Sequence, residues 1–218
     1  SQSGKSPDIF DMTRMARDGG ALTVAMTNTP ASPLAGVADH TLALHAGPEL
    51  SVAATKTFVN SAVAGVWLLA EWAEDATLCA AIQDLPNRLE AAIGMDWSAA
   101  QDALGGRNSI FCLGRGPAYA ISNEAALKFK ELAALHAEPF SLAEVMHGPL
   151  GLVRLGFPVL GFVPQDDALE LNRKALARLA EAGAAIAAFS PATLPGRTLA
   201  MPRTGAAPID ALAAMPSF

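Results

Sequence analysis

Ile110-Phe111-Cys112-Leu113-Gly114-Arg115-Gly116, running into an Ala-rich stretch from 118 to about 136, reads as a short buried strand, a glycine turn and a long helix. Downstream, 142–146 reads as a short helical piece in a loop that carries Pro139, Gly148 and Pro149. A strand over 159–163, a helix over 167–182 and a strand over 185–189 follow, and 208–218 begins another apolar helical pattern. Upstream, Ser6 is a candidate N-cap, Pro7 suits the first helical position, and Asp8 favours the positive end of the dipole. Ile9, Met12 and Ala16 then recur at helical spacing until Gly19-Gly20. Strands over 21–27 and 40–46 and long helices over about 51–72 and 76–95 complete the first half. Strand and helix in alternation imply an α/β protein with parallel sheets covered on both faces. The stretch 96–108, with Gly105-Gly106, reads as the linker between domains 1–95 and 96–218. The halves echo one another: each pairs a Gly-containing turn with a long helix, Glu49 and Lys56 in one, Glu124 and Lys128 in the other.

The 218 residues are 51% hydrophobic and 17% charged, enough to bury a core and too apolar for wholesale disorder. A net charge of −6 with scattered Lys and Arg argues against nucleic acid or an anionic membrane as partner. No apolar stretch reaches the ~20 residues that cross a bilayer. Two cysteines, Cys79 and Cys112, make neither a disulfide framework nor a zinc set, so a cytoplasmic location is expected, with both as core residues. The chain lacks an initiator Met and starts in a loop entering a helix, the expectation being an interior piece of a longer protein.

Three hydroxyls, an amide and a glycine in Ser1-Gln2-Ser3-Gly4-Lys5-Ser6 precede a helix whose free N–H groups attract anions. A phosphate cradle and an ordinary capped turn are both open readings. Gly4-Lys5-Ser6 also matches the tail of a nucleotide-binding loop, but Pro7 disfavours it. Gly114-Arg115-Gly116 fails as a dinucleotide fingerprint because Tyr119 stands where a small residue is needed. On the helix 123–131, Glu124, Lys128 and Glu131 share one narrow arc of a cylinder that is apolar on nearly all sides. Either they are a functional charged stripe or a set of structural ion pairs. His147, before Gly148-Pro149, is an acid/base candidate; His136 would cap the helix before it, and His40 and His45 read as strand residues. No spacing suggests a metal site or a cofactor.

Ser1-Gln2-Ser3-Gly4, Ala46-Gly47-Pro48-Glu49 with Ala54-Thr55-Lys56, Gly114-Arg115-Gly116, Glu124-Ala125-Ala126-Leu127-Lys128 with Glu131, His136-Ala137-Glu138 and His147-Gly148-Pro149 occur in one order. Together they resemble the sugar isomerase (SIS) family, in particular the isomerase portion of glucosamine–fructose-6-phosphate aminotransferase and stand-alone proteins that deaminate or isomerise amino-sugar phosphates. The resemblance implies two similar SIS domains, each a flavodoxin-like three-layer sandwich, the first lacking its N-terminal part and the second its C-terminal tail. It implies that Ser1, Gln2, Ser3 and Ser6 hold the phosphate of a phosphosugar, with the Val52 backbone near the sugar. Glu131 would move a proton between C1 and C2, Glu124 and Lys128 would line the pocket, and His147 would assist ring opening from a neighbouring subunit. A homodimer with shared active sites follows. The family also uses an imine-forming Lys near its C-terminus; the last Lys here is Lys174, so that group lies in a missing tail or is lacking. The expected function is glucosamine 6-phosphate deamination with isomerisation to fructose 6-phosphate. The isomerase part of a glutamine-dependent synthase and a non-catalytic phosphosugar sensor are the alternatives.

Overall fold

Val24–Thr27 (β1) and His40–Ala43 (β2) pair in parallel, with Val24 opposite His40 and Thr27 opposite Ala43. Between and around them lie the helices Pro7–Asp18 (α1), Pro33–Val37 (α2) and Lys56–Trp72 (α3). The computed structural model describes Ser1–Met215; residues 216–218, the end of the pattern starting at Pro208, lie outside the described residues, as do the side chains of Ala99, Ala103 and Leu104. Ser6 holds the N-cap position of α1 with Pro7 behind it, but its hydroxyl makes no capping bond. The strands are shorter than their apolar patterns. Both β1 and β2 are ordered at their start by the Asp39 carboxylate, which accepts from the Thr23 N–H (2.9 Å) and hydroxyl (2.8 Å). Those bonds, more than the nearby Arg17, hold its pKa below the usual range.

The chain separates into two compact units, one ending at Asp75 and the other starting at Ala76. The sequence pattern predicts the boundary after residue 95. Ala76–Ile93 (α4) groups with the second unit because it packs against Ala207–Ala213 (α8). The expected linker also holds a helix, Ser98–Leu104 (α5), packed against the second sheet, and Gly105-Gly106 ends that helix.

The second unit carries a five-stranded parallel sheet. Its strands are Ser109–Gly114 (β3), His136–Ser141 (β4), Pro158–Phe162 (β5), Ala185–Phe189 (β6) and Arg197–Leu199 (β7), ordered β4-β3-β5-β6-β7. This order places the second strand outside the first, the flavodoxin-like winding. Pro117–Ala133 (α6) crosses from β3 to β4, and Leu169–Glu181 (α7) from β5 to β6. Phe111, Leu113, Val159, Ile186 and Ala188 pack with Leu176 and Leu179 of α7 on one face. Alternate residues face the other way, where Phe162 stacks on Phe189 and Trp97, ahead of α5, meets Phe189 edge-on at 5.0 Å. The sequence predicts loop where β4 stands; as an edge strand it tolerates Pro139, a residue without an N–H.

Gly114 ends β3 where α6 comes closest. A Cβ there would collide with the Ala118 carbonyl oxygen and lie 2.8 Å from the Tyr119 nitrogen. Both are backbone atoms, so relief requires moving the helix. Gly114→Ala is therefore expected to destabilise the protein by about 1–3 kcal/mol, read as a lower urea midpoint with an unchanged slope.

Candidate functional site

The first unit holds a cleft of about 600 Å³ at the carboxyl ends of β1 and β2, lined by Gln2, Ser3, Asn28, Thr29, Pro30, Ala43, His45, Gly47, Pro48 and Glu49. Its floor is tied together by backbone and side-chain bonds. The Gln2 carbonyl accepts from the Asn28 N–H (3.1 Å) and the Thr27 hydroxyl (3.2 Å), and Ser1 Oγ accepts from the Gly4 N–H (3.2 Å). Gly4 is buried with φ +62°, and a Cβ on it would meet the Ser32 side chain, so only glycine fits the turn. Ser3 Oγ accepts from the Lys5 N–H (3.3 Å), which leaves its own proton able to donate. Of the four residues expected to hold phosphate, Gln2 and Ser3 line the cleft; Ser1 and Ser6 stand in the same loop outside the lining. Val52, 96% exposed, lies outside the lining too.

Two lining residues serve structural ends that sequence spacing does not announce. Asn28 bridges the strand to the next loop, accepting from the Ala46 N–H (2.9 Å) and donating to the Gly47 carbonyl (2.7 Å). Glu49 caps α3: its Oε2 accepts from the Thr57 N–H (2.9 Å), the Thr57 hydroxyl (3.1 Å) and the Thr55 N–H (3.2 Å). The Thr57 amide, first among these, holds its pKa below the ordinary value. This remote cap is why α3 starts at Lys56 rather than near residue 51. His45 is not a strand residue, for β2 ends at Ala43.

In the second unit, α6 brings Glu124, Lys128 and Glu131 into direct contact. Lys128 Nζ sits 2.8 Å from Glu124 Oε1 and 3.2 Å from Glu131 Oε2, with side-chain exposures of 8%, 8% and 29% for Lys128, Glu124 and Glu131. Burial alone would push the ammonium pKa down; its hydrogen bonds to both carboxylates and their charges outweigh that and raise it. The arrangement presents one partly exposed carboxylate, Glu131, braced by an ammonium that is itself anchored to a buried acid. Ala134, in the left-handed conformation (φ 50°), closes the helix. His136 accordingly belongs to β4 rather than to the end of α6, and its Nδ1 meets Ser109 Oγ at 3.2 Å.

His147 ends the 3-10 turn Glu144–His147 with an exposed side chain that has no hydrogen bond or ion pair among the described residues. Cys112 is buried in β3, where burial pushes its thiol up to about 12, an inert core group; Cys79 is only half-buried on α4. Among the described residues no group of three or more His, Cys, Asp and Glu could hold a metal, and no helix is long and apolar enough to cross a membrane.

Removing the ammonium leaves Glu124 buried and unpaired. Lys128→Met is expected to cost about 3–5 kcal/mol, whereas Glu131→Gln stays within ~1 kcal/mol because that side chain reaches water. The raised Lys128 pKa stabilises the fold below the ordinary value of 10.5 and ceases to do so as pH rises through the higher folded value. Urea titrations at rising alkaline pH should show this loss in the wild type and not in Lys128→Met.

A family model described as the SIS domain matches residues 1–71 and 104–194. The crystal structure of a candidate phosphosugar isomerase from Silicibacter pomeroyi superimposes with a TM-score of 0.93 at 54% identity, covering 100% of this chain and 67% of that one. The C-terminal domain of glucosamine-fructose-6-phosphate aminotransferase from Francisella tularensis gives 0.85 at 25% identity, covering 99% and 68%. Glutamine–fructose-6-phosphate aminotransferase (isomerizing) of Symbiobacterium thermophilum is 37% identical over 182 residues, 78% of this chain and 30% of that protein. The chain spans about a third of the length of the curated relatives it matches. With its family model matched in the serine-loop unit and again in the α6 unit, the chain belongs to the SIS-domain family.

Proposed function

We propose that this chain is a phosphosugar isomerase built from two SIS domains and acting on an amino-sugar phosphate, with glucosamine 6-phosphate as the substrate. The observation that carries the reading is Glu131, braced by Lys128 and partly open to water on α6. A charged group held this way suits proton transfer, because its geometry is set before substrate arrives. Gln2 and Ser3, with Ser1 and Ser6 in the same loop, take the phosphate through neutral donors. After ring opening, assisted by His147 of a neighbouring subunit in a homodimer, the Glu131 carboxylate removes the C2 proton. The enolamine accepts a proton at C1, which gives the imine of the ketose. Water adds to that imine and expels ammonia, leaving fructose 6-phosphate. Glu124 and Lys128 hold the base, and Val52 offers backbone beside the sugar.

The similarity to aminotransferases that are about three times longer favours a second reading, the isomerase part of a glutamine-dependent synthase. There the same proton transfer runs towards glucosamine 6-phosphate. Incubation with glucosamine 6-phosphate in heavy water separates these readings. Deuterium at C1 together with ammonia release is the deaminase outcome, and deuterium exchanged into C2 of the recovered sugar without ammonia is the bare isomerase outcome. Tight binding with neither is what a sensor would give. Glu131→Gln should slow deuterium uptake at least ~100-fold; equal rates in wild type and variant would remove Glu131 from the mechanism.

A further inference from the structure

Three residues other than glycine have a left-handed backbone among those described: His45 (φ 52°), Glu74 (φ 54°) and Ala134 (φ 50°). Glu74 follows the end of α3 and Ala134 closes α6, positions where this conformation satisfies trailing carbonyls. His45 ends no helix. The chain around it is pinned on both sides instead. The Leu44 N–H donates to the Thr27 carbonyl (3.1 Å), and the Leu44 carbonyl accepts from Asn60 Nδ2 (2.8 Å). Beyond His45, both ends of the Asn28 amide hold Ala46 and Gly47. Histidine adopts this conformation more readily than most side chains, yet it still costs more there than glycine does.

His45 lines the cleft that also contains Gln2 and Ser3. It is exposed and has no hydrogen bond or ion pair among the described residues. It is also the only basic side chain in the lining, and the acid there, Glu49, is occupied in capping α3. Asn28 is occupied at both ends. The imidazole therefore has its hydrogen-bonding capacity unspent on a wall otherwise supplied by a neutral loop.

We infer that His45 is a ligand-binding residue, donating an imidazole N–H to a phosphate oxygen of the hexose phosphate held by Gln2 and Ser3. The inference rests on the phosphosugar reading above and adds to it an imidazole N–H donor in the same lining as Gln2 and Ser3. His45→Gly removes the ring and relieves the backbone together, so it separates binding from folding. A residue there for structure alone would make this variant equal or better in every respect. Titration calorimetry with inorganic phosphate and with glucosamine 6-phosphate, alongside thermal melts, should show the variant melting no lower than wild type yet binding both at least tenfold more weakly. His45→Asn, which keeps a donor and accepts the same backbone, should recover part of the loss. Wild-type affinity in His45→Gly, with weakened binding in Ser3→Ala, overturns the role of His45 alone. Unchanged binding in both variants, or no binding by wild type, overturns the phosphate reading of the loop as well.

Discussion

Lys128 holds its charge on α6 with less than a tenth of its side chain exposed, and both carboxylates that meet it come from the same helix. Taking an ammonium and a carboxylate out of water costs several kcal/mol each, recovered only where contact geometry is good. Here that geometry follows from helical periodicity, since residues four before and three after Lys128 lie on its own face. The helix must therefore stay regular from Glu124 to Glu131. Its surroundings supply that regularity: the Gly114 close approach and Pro117 fix where it starts, and buried Ala118, Ala125 and Ala126 let it sit tightly on β3 and β4.

The cleft of the first unit is built by a different route. No ion pair braces it; side-chain amides and a capping carboxylate splice three loops together. Asn28 replaces the hydrogen bonds that β1 would have continued, and Glu49 supplies the N-terminal partners that α3 lacks. Both groups are thereby committed, and what remains available along the wall are Gln2, Ser3, His45 and Thr29.

The parts of this architecture written in local periodicity were legible in the sequence. The strand-turn-helix at 110–136, the α/β alternation and the shared face of Glu124, Lys128 and Glu131 needed only spacing. What escaped notice depends on partners distant in the chain. β4 is a strand because β3 lies beside it, and Pro139 concealed it because edge position is not a local property. α5 is short and Ala-rich, close to a linker in composition, and is ordered by the sheet it covers. His45 gives no sign of a left-handed backbone by itself; Asn28 and Asn60 impose it from 17 and 15 positions away. Glu49 was noticed as a charge in an echo, while its capping of α3 shows only when Thr55 and Thr57 fold back to it.

Under the proposed function, the two modes of construction suit two different tasks. A carboxylate that moves a proton between adjacent carbons has to be held within a fraction of an ångström, and an ångström of misplacement can cost about 100-fold in rate. A single helix with an internal ion pair gives that precision, because its three charges cannot shift independently. A phosphate presents equivalent oxygens in several directions and can be met by donors from more than one loop, so approximate placement of many groups serves it well. Loops tied by amide bridges provide such a set, and a backbone held under strain at one position can add a donor that no regular element would aim at the same wall.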